Sequence, residues 1–424
     1  MLNGILVVLL AAIVGMSDGT SVAAAGLDQH SYPRIMGMNI SRPSHYDTQD
    51  YQAQLSKPAI MILGFYEGWG KSKKTIAERD VVKHLKEINP NLLVGQYTIL
   101  NEWKDIDEPS NARRKLSKKL DDENWWLRDE NNKRVQWTNM YHAWDINLSA
   151  WTTPDRDGNR YPEWLAQADY ETFFRPVPEF DIWYFDNALS RPEVKKADWD
   201  GDGRDDSRDD PRIAAAYRRG NLAHWIKARQ LHPTAIFIGN SDDVSSPEYS
   251  GKLEGVFMEG VIGTTWSMDQ LKEQSKGWDA IMKRYRAAIQ HTAAPHIIGF
   301  NVHGSKDNYQ RMRYGLTSCL MDDGYFSYTD EKVGYGSVPW FDEYDVVLGR
   351  PMDPPSLQPW QNGVYRRRFE HGTVLVNPDI FPRTITVDQG YRRIKGMQAS
   401  DVNDGKDVSV LSLPGKDGII LIKR

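Results

Sequence analysis

Eight short apolar runs recur over the first three quarters of the chain, and their spacing restricts the fold more than any other feature. They are RIMGM (34–38), AIMILG (59–64), LLVGQYT (92–98), DIWYFD (181–186), AIFIGN (235–240), GVFMEG (255–260), HIIGFN (296–301) and YFSYT (325–329). Each is nearly continuous rather than alternating, as expected of parallel strands buried on both faces. Segments of helical period lie between them. Ile76, Val82, Leu85 and Ile88 share one side of a helix closed by Pro90, and Ile213, Tyr217, Trp225 and Ile226 do the same before Pro233. Met268, Leu271, Trp278, Met282, Tyr285 and Ile289 mark a long helix after the sixth run. Eight strands alternating with helices predict an α/β fold, a (β/α)8 TIM barrel over residues 26–337. An open doubly wound sheet would need a glycine-rich phosphate turn after an early strand, and no run is followed by GxGxxG.

From about Trp340 the pattern changes to alternation. GVYRRRFEHGTVLVNPDIFPRTITVD, YRRIKG and GIILIKR read as an antiparallel, sandwich-like β module over 338–424. At the other end, an apolar run from Ile5 to Met16 is followed by small residues ending in Ala-x-Ala, which predicts a secretory signal over 1–25. The competing reading is a lone membrane anchor, although the run is too short to span a bilayer, and no later segment qualifies. The single cysteine, Cys319, excludes an internal disulfide. The expectation is a protein exported to a bacterial periplasm or exterior, without an integral span in its mature form. A net charge of -5, from 53 basic and 58 acidic residues, argues against nucleic acid or anionic lipid as a partner.

In a TIM barrel the chemistry sits where strands end at their C-terminal side. Those positions are crowded with carboxylates, amides and aromatics. The second run leads to Glu67 and Trp69, the third to Tyr97, Asn101 and Glu102, and the fourth to Asp186 and Asn187. The fifth ends in Asn240, Asp242 and Asp243, the sixth in Glu259, the seventh in Asn301 and His303, and the eighth in Tyr328 and Asp330. Turn chemistry explains one such ending but not seven around a single rim. Polar groups interleaved with aromatic faces suit a sugar polymer.

Cleavage of a glycosidic bond needs two carboxyl groups flanking it. Asp186 and Glu259 are the expected pair, Asp186 as nucleophile or base and Glu259 as acid, because each ends an apolar run directly. Glu67, Asp242 and Asp330 are the alternatives. Glu67, Trp69, Tyr97, Asp145, Asn187, Asn240, Asp242, Asn301 and His303 are the expected substrate contacts. The long segment between the third and fourth runs carries Trp125, Trp126, Trp137, Trp144 and Trp151. It reads either as a substrate-facing insertion or as a hydrophobic cover for the barrel edge.

DWDGDGRDDSRD, after the fourth run, has the spacing of a calcium loop. Asp198, Asp200 and Asp202 fall at positions 1, 3 and 5, Arg204 would offer its carbonyl, and Asp206 and Asp209 fall at positions 9 and 12. Carboxylates so crowded repel one another unless a cation lies among them. A structural Ca2+ beside the catalytic face is expected. DRDGN (155–159) is a weaker echo.

The order WWLRDENNKRV, WDIN, FDIWYFDN, GVFMEG and a C-terminal GVYRRRFEHGTVLVNP resembles bacterial glycoside hydrolases of TIM-barrel type, most of all hypothetical glycosyl hydrolase family 15. It is similar more distantly to the endo-α-1,4-polygalactosaminidase family. The resemblance spans roughly residues 34–424. It implies a glycosidase barrel in which the fourth-strand Asp186 and sixth-strand Glu259 act together, with the C-terminal β module as a companion. The aspartate-rich loop is a departure from that pattern. Two further readings stand: a barrel that binds polysaccharide without cleaving it, and a metal-dependent hydrolase or lyase. The latter would need histidines beside the aspartates, and His142 and His303 are isolated in sequence.

Overall fold

The computed structural model describes residues 32–65, 77–104, 111–269 and 277–424. The expected signal over 1–25, together with Glu67 and Trp69, lies outside them. All eight apolar runs form strands: β1 (Met36–Asn39), β2 (Ile60–Leu63), β3 (Leu93–Ile99), β4 (Ile182–Asp186), β5 (Ile236–Gly239), β6 (Gly255–Ile262), β7 (Ile297–Gly304) and β8 (Tyr325–Asp330). They pair in parallel in chain order. A parallel bridge between Ile35 and Phe326 brings β8 back to β1 and closes the ring.

Period two along each strand sorts the side chains. Met36, Met38, Ile60, Ile62, Ile182, Tyr184, Ile236, Phe257, Ile297 and Tyr325 fill the inside of the barrel. The alternate residues, Trp183, Phe185, Met258 and Phe300 among them, pack outward against the helices. This parity also aims the polar ends. Asp186 follows Ile182 and Tyr184 on the inner face, and Glu259 follows Phe257.

Helices α1 (Gln49–Leu55), α2 (Glu78–Ile88), α3 (Asn111–Asp122), α4 (Tyr161–Asp169), α5 (Pro211–Leu231), α6 (Trp278–His291) and α7 (Tyr309–Cys319) occupy the strand connections. Among the described residues, β5 and β6 are joined by turns alone. The expected helical faces need two corrections. Ile88 and Ile226 are exposed, while Val81, Val82 and Leu85 bury α2, and Ile213, Tyr217 and Trp225 bury α5. Met268 lies before α6, whose first residue is Trp278.

The insertion after β3 extends that strand into a two-stranded ribbon, Glu102–Lys104 paired antiparallel with Ala143–Asp145. Trp125 and Trp126 are buried beneath it, and Trp144 and Trp151 are half-buried against the core, so these four serve as the cover for the barrel edge. Trp137 alone of the five is exposed.

The C-terminal strands β9 (Tyr365–Arg368), β10 (Gly372–Asn377), β11 (Arg383–Thr386), β12 (Tyr391–Arg393), β13 (Val410–Leu413) and β14 (Asp417–Lys423) form two antiparallel sheets, β9-β10-β14-β12 and β11-β13. Leu375, Ile419 and Leu421 of one sheet meet Ile385, Leu411 and Leu413 of the other in a separate small core. The module packs on α7, where buried Arg313 grips Asp417 through two hydrogen bonds of 3.1 and 2.9 Å. Gly418 permits this approach, because a Cβ there would lie 1.9 Å from Thr317 Oγ1.

Candidate active site

The chain turns sharply just beyond both carboxylates. Asn187 has φ +54°, a left-handed conformation that asparagine tolerates better than most residues, and its N–H donates to Asp186 Oδ1 at 3.0 Å. Gly260 has φ +55°, and its N–H donates to Asn301 Oδ1 at 3.0 Å. Glycine is required at that position, since a Cβ would crowd Trp266 Nε1 at 3.1 Å and Thr264 Cγ2 at 3.2 Å. Each acidic side chain is thereby left at a strand end, over the mouth of the barrel.

Asn240, one residue past β5, joins them. Its Nδ2 donates to Asp186 Oδ1 and to Glu259 Oε2, both at 2.9 Å. Two oxygens each 2.9 Å from one nitrogen are at most twice that distance, 5.8 Å, apart. The amide hydrogens diverge by about 120°, so straight hydrogen bonds set those oxygens about 5.0 Å apart. Tyr97 donates its hydroxyl to Asp186 Oδ2, and Tyr335 donates to Glu259 Oε1. The Tyr97 ring stacks on Tyr184 at 5.7 Å, and Tyr97 and Tyr335 both pack on the inner cluster of the barrel. The floor of the site is therefore aromatic, and its hydrogen bonds to the pair come from neutral groups.

Burial raises the Asp186 carboxyl above the ordinary aspartate range, and the neighbouring charge of Glu259 adds to the rise. The donors Tyr97, Asn240 and the Asn187 N–H oppose it. Glu102, on the ribbon beyond β3, is also raised, first by burial and then by Asp186, while the Trp137 indole holds it down.

The remaining expected contacts divide into groups that hold the pair and groups that lie away from it. Asn301 is fully buried and donates to Ser327 Oγ (3.2 Å) and Thr329 Oγ1 (3.0 Å), so it fixes the turn after Glu259 instead of facing a ligand. Asn187 donates to Asn101 Oδ1 at 3.0 Å. Asn101 in turn reaches Asp145 Oδ1 at 3.4 Å. Asp145 is buried and accepts the Trp137 N–H at 2.9 Å, which makes it a support for the insertion; burial pushes its carboxyl up to about 8. Asp242 faces the loop after β4, accepting the Ser190 N–H at 2.6 Å and its hydroxyl at 2.8 Å. Asp330, one of the alternative acids, is buried and accepts the Lys332 N–H at 3.1 Å within its own turn. His303 does stand at the rim, its ring 6.2 Å from Trp266 and 6.2 Å from Tyr335, with burial lowering its basicity.

Tyr335 is the residue that strand ends alone do not reveal. It lies five residues beyond β8, where its carbonyl accepts the Ile40 N–H (2.9 Å) and Asn39 Nδ2 (3.1 Å). That link swings the loop back over the β1 rim and brings the phenol to Glu259. The only sequence signal is the flexible Gly334-Tyr335-Gly336 triplet, with Gly334 at φ +56°.

In the aspartate-rich loop, Asp198, Asp200 and Asp206 bring one carboxylate oxygen each within 4.8 Å of one another. Asp198 accepts the N–H groups of Gly201 (2.8 Å), Asp202 (3.0 Å) and Gly203 (2.9 Å), the tight wrapping that positions 1 to 6 require. The other expected ligands are placed differently. Asp202 accepts the Arg204 N–H at 2.9 Å, and Asp209 pairs with Arg191 at 3.0 Å. No histidine lies in the group that converges.

A closed parallel barrel with desolvated carboxylates at its mouth is the architecture of the TIM-barrel glycoside hydrolases. The chain belongs to hypothetical glycosyl hydrolase family 15, which matches it over residues 86–373, more than half its length. A search of the curated proteins found no match. Among solved structures it is similar to uncharacterized protein lmo2446 from Listeria monocytogenes EGD-e, 11% identical with a TM-score of 0.51 over 92% of this chain and 41% of that one. It is also similar to the glycoside hydrolase domain of PelA from Pseudomonas aeruginosa, 14% identical with a TM-score of 0.44 over 72% and 98% of the two chains.

Proposed function

We propose that the protein is an exported, retaining glycoside hydrolase that cleaves an O-glycosidic bond between Asp186 and Glu259. The observation that carries the reading is the shared Asn240 donor, 2.9 Å from an oxygen of each carboxylate. The separation it implies is that of retaining enzymes, roughly 5–5.5 Å, and falls short of the roughly 6.5–9.5 Å that leaves room for water in inverting ones.

Asp186 is the nucleophile and Glu259 the acid. Asp186 accepts three hydrogen bonds, one from a main-chain N–H that can only donate, whereas Glu259 accepts two. The larger set of donors favours the anion on Asp186. The part of its upward shift caused by Glu259 is repulsion between two anions and vanishes once Glu259 holds the proton. The Asp186 carboxylate attacks the anomeric carbon while Glu259 protonates the departing oxygen, giving a glycosyl ester on Asp186. Glu259, now ionised, takes a proton from water as that water attacks the same carbon, which frees Asp186 and restores the acid.

A structural calcium ion held by Asp198, Asp200 and Asp206 is the second part of the proposal. Three hard oxygen donors brought together by one hairpin loop fit that ion, and burial, then Asp200, raises the Asp206 carboxyl as an uncompensated cluster would. Calcium would fix the loop that follows β4 and take no part in the bond change. Export is supported by the apolar run Ile5–Met16 ahead of the small residues.

The test is hydrolysis of a glycan panel by wild type, Asp186→Asn and Glu259→Gln. Both variants are expected to lose about 10³-fold or more in kcat on whichever glycan wild type cleaves. Full turnover by either would remove that residue from the chemistry.

A further inference from the structure

We infer that the glycan lies across the barrel mouth between two aromatic platforms, Trp137 with Tyr141 on one wall and Trp266 with His303 on the other, so that the enzyme acts within a chain. This deepens the glycosidase reading and rests on it. Trp137 is borne by the insertion that prolongs β3, while His303 belongs to β7. Four places apart in a ring of eight, those strands are opposite, and the Asp186–Glu259 pair stands between them.

Trp137 has the features of a built surface. Its indole N–H donates to Glu102 Oε2 at 2.8 Å and its main-chain N–H donates to Asp145 Oδ2 at 2.9 Å. With its edge and its backbone both held, the residue stays 38% exposed. Tyr141, 44% exposed, packs beside it with ring centres 5.8 Å apart. Burial first, and then the charges of Glu259, Glu102 and Asp186, raise the Tyr141 hydroxyl above the ordinary tyrosine range.

Trp266 is 63% exposed and reaches back to Glu259 through a run of contacts: His303 at 6.2 Å, then Tyr335 at 6.2 Å from His303, then the Tyr335 hydroxyl on Glu259. His303 Nε2 is buried without a hydrogen-bond partner among the described residues. Such a group is costly to leave unpaired and is relieved by a sugar hydroxyl. Large aromatic faces exposed on both sides of a polar pair match the two faces of pyranose rings. A site for a chain end would instead be walled on one side.

Intrinsic tryptophan fluorescence tests this in the Glu259→Gln protein. The probes are di- to hexasaccharides of 1,4-linked glucose, galactose, xylose, glucosamine and galactosamine. At least one series is expected to quench the fluorescence, with affinity rising from dimer to hexamer. Adding Trp137→Ala or Trp266→Ala is expected to weaken the hexamer about tenfold and the dimer less than twofold. Trp137→Phe, which keeps a face but loses the Glu102 bond, is expected to fall between wild type and Trp137→Ala. Hexamer affinity unchanged in both alanine variants overturns the platforms, as does no binding of any hexamer at millimolar concentration. If wild type hydrolyses a glycan indifferently to both tryptophans, the platforms fail and the carboxylate pair survives. If binding depends on the tryptophans and no hydrolysis occurs, the reaction fails and the platforms survive.

Discussion

Asp186 and Asp198 lie twelve positions apart, yet the two acidic clusters they belong to live under opposite conditions. The Asp186–Glu259 pair sits over a floor of tyrosines and is held by phenol and amide donors. The Asp198–Asp200–Asp206 group lies in a largely exposed loop and is wrapped by main-chain N–H groups. Desolvation first, and then the charge of Glu259, raises the Asp186 carboxyl, and these two groups are the proposed nucleophile and acid. The second keeps water within reach and would relieve its repulsion by taking up the proposed cation. In the proposed reading, similar residues serve bond cleavage in one place and loop architecture in the other, and burial decides which.

The widest gap between the clusters is expected in turnover. Asp186→Asn should cost about 10³-fold or more in kcat, whereas Asp200→Asn should leave kcat within about twofold at saturating calcium and a temperature well below melting. A thousandfold loss in Asp200→Asn would mean that the loop takes part in the reaction. Asn240→Ala should cost about 10- to 100-fold, because each carboxylate loses a donor to its charged form. The acid limb of the pH–rate profile should then move to higher pH, since removing such donors raises the carboxyl pKa. A limb that stays in place would show that Asn240 does not tune the pair.

Calcium removal should act on the other cluster through stability. An ion present at 100 times its Kd contributes about 2.7 kcal/mol. Chelation should therefore lower Tm in wild type and leave Asp200→Asn nearly unchanged; an equal shift in both proteins would place the ion elsewhere. The smallest effect concerns buried Asp145. Its folded carboxyl is raised to about 8 from the ordinary 3.8, so its contribution to stability is fully present below about 3.8 and is lost as pH rises toward 8. Asp145→Asn cannot ionise and should flatten this part of the curve of urea midpoint against pH. A slope identical to wild type would contradict that assignment.

The eight strands were legible because each is buried on both faces and so carries an unbroken apolar run. Asp186 and Glu259 were legible because each ends such a run directly, and in the structure period two aims both inward. The helical faces were legible only to within a turn, and Ile88 and Ile226 fell outside them. What sequence could not separate was the amide that contacts a ligand from the amide that contacts a neighbour. Asn187, Asn240 and Asn301 all end apolar runs, yet their side-chain partners come from residues 19 to 86 positions away. Tyr335 went unseen for the same reason, since only the return of its loop to β1 delivers it to Glu259. Trp137 differs from Trp125 and Trp126 by exposure alone, a property of the packed insertion.

Azide rescue measures the central claim most directly, because it reads each carboxylate's role from the product. With an activated aryl glycoside of the sugar that wild type cleaves, Glu259→Gln in azide should yield the glycosyl azide of retained configuration by proton NMR. Asp186→Asn in azide should yield the inverted one. The opposite pattern would exchange the two roles, and inverted product from wild type hydrolysis itself would contradict a pair close enough to share one amide.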